Sequence, residues 1–156
     1  MNGHERKYLC DEMLGVLARW LRMLGHDVEY ARGMKDTAIL TQVKQERRFL
    51  LTRDKQLAER VETHGLYIRS PDLDRQLAQL RDELGLRFNE GSTRCSSCNT
   101  KLHVESKEEA ALHVPHGALE SSSVFFRCPG CGRHYWDGTH WKSIVERAEK
   151  LGLRRL

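Results

Sequence analysis

The apolar positions of the first 88 residues follow two rhythms that take turns along the chain. Short apolar runs at Tyr8-Leu9-Cys10, Val28-Glu29-Tyr30, Phe49-Leu50-Leu51-Thr52 and Leu66-Tyr67-Ile68 have the length and composition of strands. Between them, apolar residues recur every three or four positions. Met13, Leu14, Val16, Leu17, Trp20, Leu21 and Leu24 line one side of a helix that Gly25 is suited to end. Ile39, Leu40 and Val43 do the same after Asp36, and Leu57, Ala58 and Val61 after Asp54. Ser70-Pro71-Asp72 opens a further helix carrying Leu73, Leu77, Leu80 and Leu84. Strands joined by helices predict an α/β fold, a parallel sheet with helices on both faces and right-handed crossovers.

The rhythm stops at Asn89-Glu90-Gly91-Ser92-Thr93, where small polar residues cluster and the paired cysteines begin. Two units are expected: an α/β domain over 1–89 and a small module over 90–156. The module closes with a helix from Lys142 to Leu151, its apolar stripe made by Ile144, Val145, Ala148 and Leu151.

Cys95-Ser96-Ser97-Cys98 and Cys128-Pro129-Gly130-Cys131 are separated by 29 residues. A CxxC turn aims two thiolates at one point, and two such knuckles complete the tetrahedral sulfur shell that zinc prefers. Gly130 and Gly132 are expected to permit the tight positive-φ turns of the second knuckle. A redox pair competes as the reading of one CxxC, but a doubled motif favours a metal. The predicted module is therefore a zinc ribbon binding one Zn2+ per chain. With no open coordination position, the ion supplies folding energy to a unit with little core of its own. His103, His113, His116, His134 and His140 read as surface or supporting residues, and Cys10 as a core thiol.

Charged residues make up 31% of the 156 and the formal charge is +4, which excludes neither an enzyme nor a binder but does exclude a histone-like arm. Arginine outnumbers lysine by 18 to 8, a balance that suits forked contacts to phosphate. No apolar run approaches the roughly 20 residues of a membrane span, and the segment from Met1 to Lys7 lacks the apolar stretch of a signal peptide. The expectation is a cytoplasmic protein without a membrane partner.

Asp11 directly follows the first strand and Asp54 the third, and ligands of open parallel sheets collect beyond the carboxyl ends of strands. Asp36, ahead of the intervening helix, is placed to join them. Gathered carboxylates repel each other, and a hard divalent ion such as Mg2+ or Mn2+ removes the conflict while keeping waters for a phosphate substrate. The competing reading is that each aspartate only caps a helix. Arg19 and Arg22 lie with Gly15 on one side of the first helix, and Arg53 flanks Asp54. They read either as phosphate contacts, with Gly15 letting a backbone approach, or as a solvated face.

The run from Cys10 through Asp11-Glu12-Met13-Leu14-Gly15 to Gly25, then Asp36, Leu50-Leu51-Thr52-Arg53-Asp54, the doubled CxxC and Tyr135-Trp136-Asp137-Gly138-Thr139-His140-Trp141 resembles the Mut-seven-C ribonuclease family. The resemblance runs from about Tyr8 to Trp141. It implies a PIN-like nuclease fold with a C-terminal zinc ribbon and metal-dependent cleavage of RNA, expected to be single-stranded. It implies Asp11, Asp36 and Asp54 as the acidic site, with Glu12 or Asp72 as a further acid. It also allows a protein partner such as an antitoxin.

Two other readings stand beside it. One is a non-catalytic RNA- or ribosome-binding module in which Tyr135, Trp136 and Trp141 stack on bases, or else form the ribbon's own core. The other is a receiver-like phosphoacceptor domain built on Asp11, Glu12 and Asp54, for which a fifth βα unit with a lysine is missing before Cys95.

Overall fold

The computed structural model describes residues 6–154. Its first half alternates strands β1 (Tyr8–Cys10), β2 (Val28–Tyr30), β3 (Phe49–Thr52) and β4 (Gly65–Tyr67) with helices α1 (Gly15–Met23), α2 (Asp36–Glu46), α3 (Lys55–Val61) and α4 (Leu73–Leu84). The four strands are parallel in the order β2-β1-β3-β4. Side chains of a strand alternate between its faces. Leu9 and Leu50, paired in register, therefore face one way and pack with Ile39 and Val43 of α2 and Leu57 and Val61 of α3. Tyr8, Cys10 and Leu51 face the other way, onto Leu17 and Leu21 of α1 and Leu77 and Leu80 of α4. Helices cover both faces, as the apolar rhythm predicts. Gly25, with φ of +92°, ends α1 where its missing side chain would strike the Asn89 carbonyl.

The second half holds β5 (His103–Glu105), α5 (Lys107–Ala110), α6 (His116–Ser121), β6 (Phe125–Arg127), β7 (His134–Trp136) and α7 (Thr139–Lys150). The three strands form an antiparallel sheet in chain order. Ala110, Val114, Phe125, Leu119 and Trp136 make a small core beside it.

Helix α7 departs from the expected division at residue 89. Its Ile144 and Ala148, with Leu153 beyond, are buried in the same cluster as Leu77 and Leu80. Trp141 packs edge-on against Phe88 at 5.8 Å, and Arg147 lies 4.8 Å over the Trp20 ring. The Phe88 N–H donates to the Leu153 carbonyl at 2.8 Å. The apolar stripe of α7 is real, but the surface that buries it belongs to α1 and α4. Among the described residues, no helix is long and apolar enough to cross a membrane.

The first knuckle is also bound to the sheet. Among the described residues no strand lies beyond edge strand β2, and the Val28 N–H donates to Asn99 Oδ1 at 3.0 Å. Asn99 Nδ2 donates to Asp27 Oδ1 at 2.8 Å and to Glu29 Oε1 at 3.1 Å. The Arg94 N–H donates to the Arg22 carbonyl at 2.9 Å, and Arg22 Nη1 donates to the Ser96 carbonyl at 2.9 Å.

Candidate functional site

Asp11 and Asp54 follow β1 and β3, the adjacent central strands, at their carboxyl ends. Asp11 is only 6% exposed, and both oxygens of its carboxylate accept hydrogen bonds. Oδ1 accepts from the Met13 N–H at 3.0 Å. Oδ2 accepts from the Arg53 N–H at 2.8 Å and from the Thr52 hydroxyl. The same Thr52 oxygen accepts from the Asp54 N–H at 2.9 Å. One hydroxyl at the end of β3 thus ties the two acidic positions together.

Asp54 is exposed and caps α3, its Oδ1 accepting from the N–H groups of Gln56 and Leu57 at 3.0 and 3.2 Å. The capping alternative is therefore correct as far as it goes: Asp11 caps the 3-10 turn Glu12–Leu14 and Asp54 caps α3. Capping uses only one oxygen of Asp54. Asp36 is exposed in the first turn of α2, with Lys35 at the capping position. It lies on the same edge of the sheet, but the three aspartates are not drawn into one ligand group. Asp72, offered as a further acid, caps α4 through the Arg75 N–H at 3.1 Å.

The neighbouring polar positions divide sharply. Arg22 is 7% exposed, with Nε donating to the Val28 carbonyl at 2.8 Å and Nη1 to that of Ser96. This corrects the phosphate role expected for Arg22, because the side chain is buried and its Nε and Nη1 are committed inside the protein. Arg19 is exposed. Arg53 is half-buried and donates from Nη1 to the Ile68 carbonyl at 2.8 Å. Gly15 makes room for Tyr30, whose hydroxyl oxygen would lie 3.1 Å from an added Cβ and which donates to the Glu12 carbonyl at 2.6 Å. That space is already filled from within the protein, so the backbone-approach reading of Gly15 is corrected too.

The four cysteines converge. All four sulfurs lie within 4.8 Å of one another, with Cys95–Cys131 at 3.6 Å and Cys98–Cys128 at 3.4 Å. A tetrahedron with bonds of about 2.3 Å has edges of about 3.8 Å, so the sulfurs fit zinc with small adjustments. Among the described residues, no other group of three or more His, Cys, Asp or Glu side chains is close enough to share one ion.

The two knuckles are the same turn made twice. The Cys95 N–H donates to the Thr100 carbonyl and the Asn99 N–H to the Cys95 carbonyl; the Cys128 N–H donates to the Arg133 carbonyl and the Gly132 N–H to the Cys128 carbonyl. Asn99 and Gly132 both take positive φ, 71° and 80°. Gly130 does not; its missing side chain instead leaves room for Thr100, whose Oγ1 would be 2.4 Å from a Cβ. The hydrogen bond from Thr100 Oγ1, with those from the neighbouring Cys128 and Cys95 sulfurs, lowers the Cys98 thiol to about 6, while the crowding of the same sulfurs raises that of Cys131 to about 11.

The Tyr135 hydroxyl lies 3.0 Å from Cys95 Sγ, so this aromatic supports the cysteine cluster. Trp136 belongs to the ribbon core and Trp141 to the main core. His134 pairs with Glu105 at 2.7 Å and stacks on His113 at 4.5 Å, apart from the cysteines. Cys10 is wholly buried, and burial pushes its thiol far up, as a core thiol requires.

Sequence reasoning singles out Asp11, Asp54 and the cysteines but overlooks Thr52 and Asn99. Both carried a signal. Thr52 is the polar end of an otherwise apolar strand two residues before Asp54, and Asn99 follows its CxxC directly, where the second knuckle has Gly132.

No curated protein and no solved structure matches the chain. A family described as the Mut7-C RNAse domain matches residues 6–148. That span takes in both aspartate-bearing strand ends, both knuckles and most of α7, and the chain belongs to the Mut7-C RNAse domain family.

Proposed function

We propose that the protein is a metal-dependent ribonuclease acting on single-stranded RNA, with Asp11 and Asp54 as its central acids. The observation that carries this reading is the Thr52 bridge, which fixes two carboxylate-bearing backbone positions at the carboxyl ends of adjacent central strands. Asp11 has the rigidity of a preorganised group, and Asp54 has an oxygen not used in capping. One or two carboxylates with waters and substrate phosphate suit Mg2+ or Mn2+ better than an all-protein cage does. When bound, such an ion supplies water activation and charge neutralisation at the scissile phosphodiester. Asp36, in the first turn of α2, is assigned to complete the acidic site, and the exposed Arg19 of α1 to hold substrate phosphate. The cysteine cluster takes one structural Zn2+.

A binding-only protein is the reading that the capping roles of both acids favour, and one substitution separates the two. Asn keeps the shape and capping ability of Asp54 while removing its charge. Asp54→Asn is expected to lower Mn2+- or Mg2+-dependent cleavage of end-labelled RNA by several orders of magnitude, with zinc content and circular dichroism unchanged. Cleavage at the wild-type rate, with contaminating nuclease excluded, would return Asp54 to capping alone.

A further inference from the structure

A basic cleft opens away from Asp11, where the amino end of β1 meets the linker and the first knuckle. It encloses about 330 Å³ and is lined by Arg6, Lys7, Asp27, Ser92, Arg94 and Lys101 among others. The single acid in it is committed: Asp27 Oδ1 accepts from Arg48 Nη1 at 2.9 Å and from Asn99 Nδ2 at 2.8 Å. Of the cations, Arg94 is held in part, its Nη1 donating to the Asn99 carbonyl at 2.9 Å and its Nη2 lying 4.0 Å from Asp27 Oδ2, while the lysines are not. Lys7 and Lys101 are exposed and form no ion pair among the described residues. An antiparallel bridge between Arg94 and Lys101 holds those two side by side. Arg6 lies 4.8 Å over the Phe49 ring with its guanidinium beside the Tyr8 hydroxyl, and its buried Nη1 has no hydrogen-bond partner among the described residues. A guanidinium nitrogen withdrawn from water without an acceptor is costly, and an oxyanion removes that cost through a charge-assisted bond.

We propose that this cleft is a phosphate-binding site for the RNA backbone, remote from the acidic edge. The proposal rests on the reading that RNA is the substrate. Lys7 and Asp11 sit at opposite ends of β1, about 13 Å apart at a strand's rise of about 3.3 Å per residue. A strand engaged at both places must therefore be several nucleotides long. A concave site favours a polynucleotide over a lipid surface, and none of the exposed large apolar residues (Met13, Val16, Val104, Leu112 and Val124) lines it.

The test uses the zinc-loaded full chain and fluorescent single-stranded RNA, without Mg2+ or Mn2+, over a range of salt. Each cation lost from a single-stranded RNA interface makes the log–log salt slope shallower by about 0.7, so Lys7→Gln with Lys101→Gln is expected to change it by about 1.4. Lys7→Arg with Lys101→Arg should keep the wild-type slope, which separates charge from fold. With Mn2+ present, the Gln pair should raise KM for long RNA and leave a trinucleotide unaffected.

The same slope for wild type and the Gln pair overturns the site, as does a wild type that binds no RNA. Anionic phospholipid vesicles that lose binding in the Gln pair while RNA does not would also overturn it. Cleft-dependent binding by a protein that cleaves nothing upholds the site and removes the nuclease reading. Intact cleavage with unchanged binding removes the site alone.

Discussion

Thr52 shows how much of the acidic edge hangs on a single hydroxyl. Its proton goes to Asp11 and its oxygen receives the Asp54 N–H, so it sets both acids at once. Thr52→Val keeps the shape and removes both bonds. It is expected to raise the Mn2+ concentration for half-maximal cleavage about 10- to 100-fold, the usual cost of losing a partner that orients a ligand. Thr52→Ser should restore most of the loss, and a Val variant that titrates like wild type would limit Thr52 to packing. Periodicity could not reveal this residue, because at the end of an apolar run a threonine scores as one more β-former.

His26 is a second residue that pattern reading passes over. It is buried, its Nε2 lies 2.7 Å from the Arg87 carbonyl, and its Nδ1 has no partner among the described residues. Burial, reinforced by the Arg94 charge, lowers its pKa. The unfolded imidazole, titrating near about 6.5, therefore takes up a proton at a pH where the folded one stays neutral. Its contribution to stability is complete above about pH 6.5 and declines as the pH falls from there toward the lowered folded value. Urea unfolding at a series of pH values should show that slope in wild type and lose it in His26→Gln; equal slopes in the two would contradict it.

At the scale of elements, the first knuckle acts as an end-piece for the α/β sheet. Asn99 closes its own turn at φ 71° and feeds Val28, Asp27 and Glu29. Arg22 answers from α1 by holding Ser96. Asn99→Ala strands the buried Val28 N–H and is expected to cost about 1–3 kcal/mol in chemical unfolding. Asn99→Gly, which relaxes the turn but keeps the loss of the amide, should recover only the backbone part. Equal stability of wild type and both variants would show that water replaces the amide at no cost. The strands and helices of the first half, and α7, were legible because each carries its own period; β5, β6, β7, α5 and α6, each only three to six residues long, are too short to show one. The assignment of α7 was not, since an apolar stripe says that a helix is buried and never says against what. Ile144 and Ala148 look the same in the sequence whether they meet the ribbon or α1 and α4. The arginines failed for a related reason. Arg19 and Arg22 are one helical turn apart, and only the arrival of Ser96 from 74 residues downstream separates the exposed one from the buried one.

For the whole molecule, these contacts make the cysteine cluster and the α/β core one mechanical unit. Chain segments from both sides of residue 89 share a hydrophobic cluster, and the knuckle is bonded to α1 and β2. Stripping zinc with a chelator is therefore expected to lower the melting temperature of the entire protein in one transition, with helical circular dichroism from α1 and α4 lost together with the ribbon. A chelated protein that keeps its α/β transition unchanged would show that the cysteines stabilise only their own turn.

The cap on β2 has a further consequence. An uncovered outer strand offers a row of N–H and C=O groups to any other chain. In the folded protein Asn99 occupies that row at Val28, and Asp27 and Glu29 set charges beside it. If the cysteines hold the proposed zinc, its loss would loosen the turn that carries Asn99. The first product of such loss would then be a nearly native molecule with an adhesive flank, open to pairing with its own copies, and cysteine ligation would serve this protein as protection against fibrous self-association.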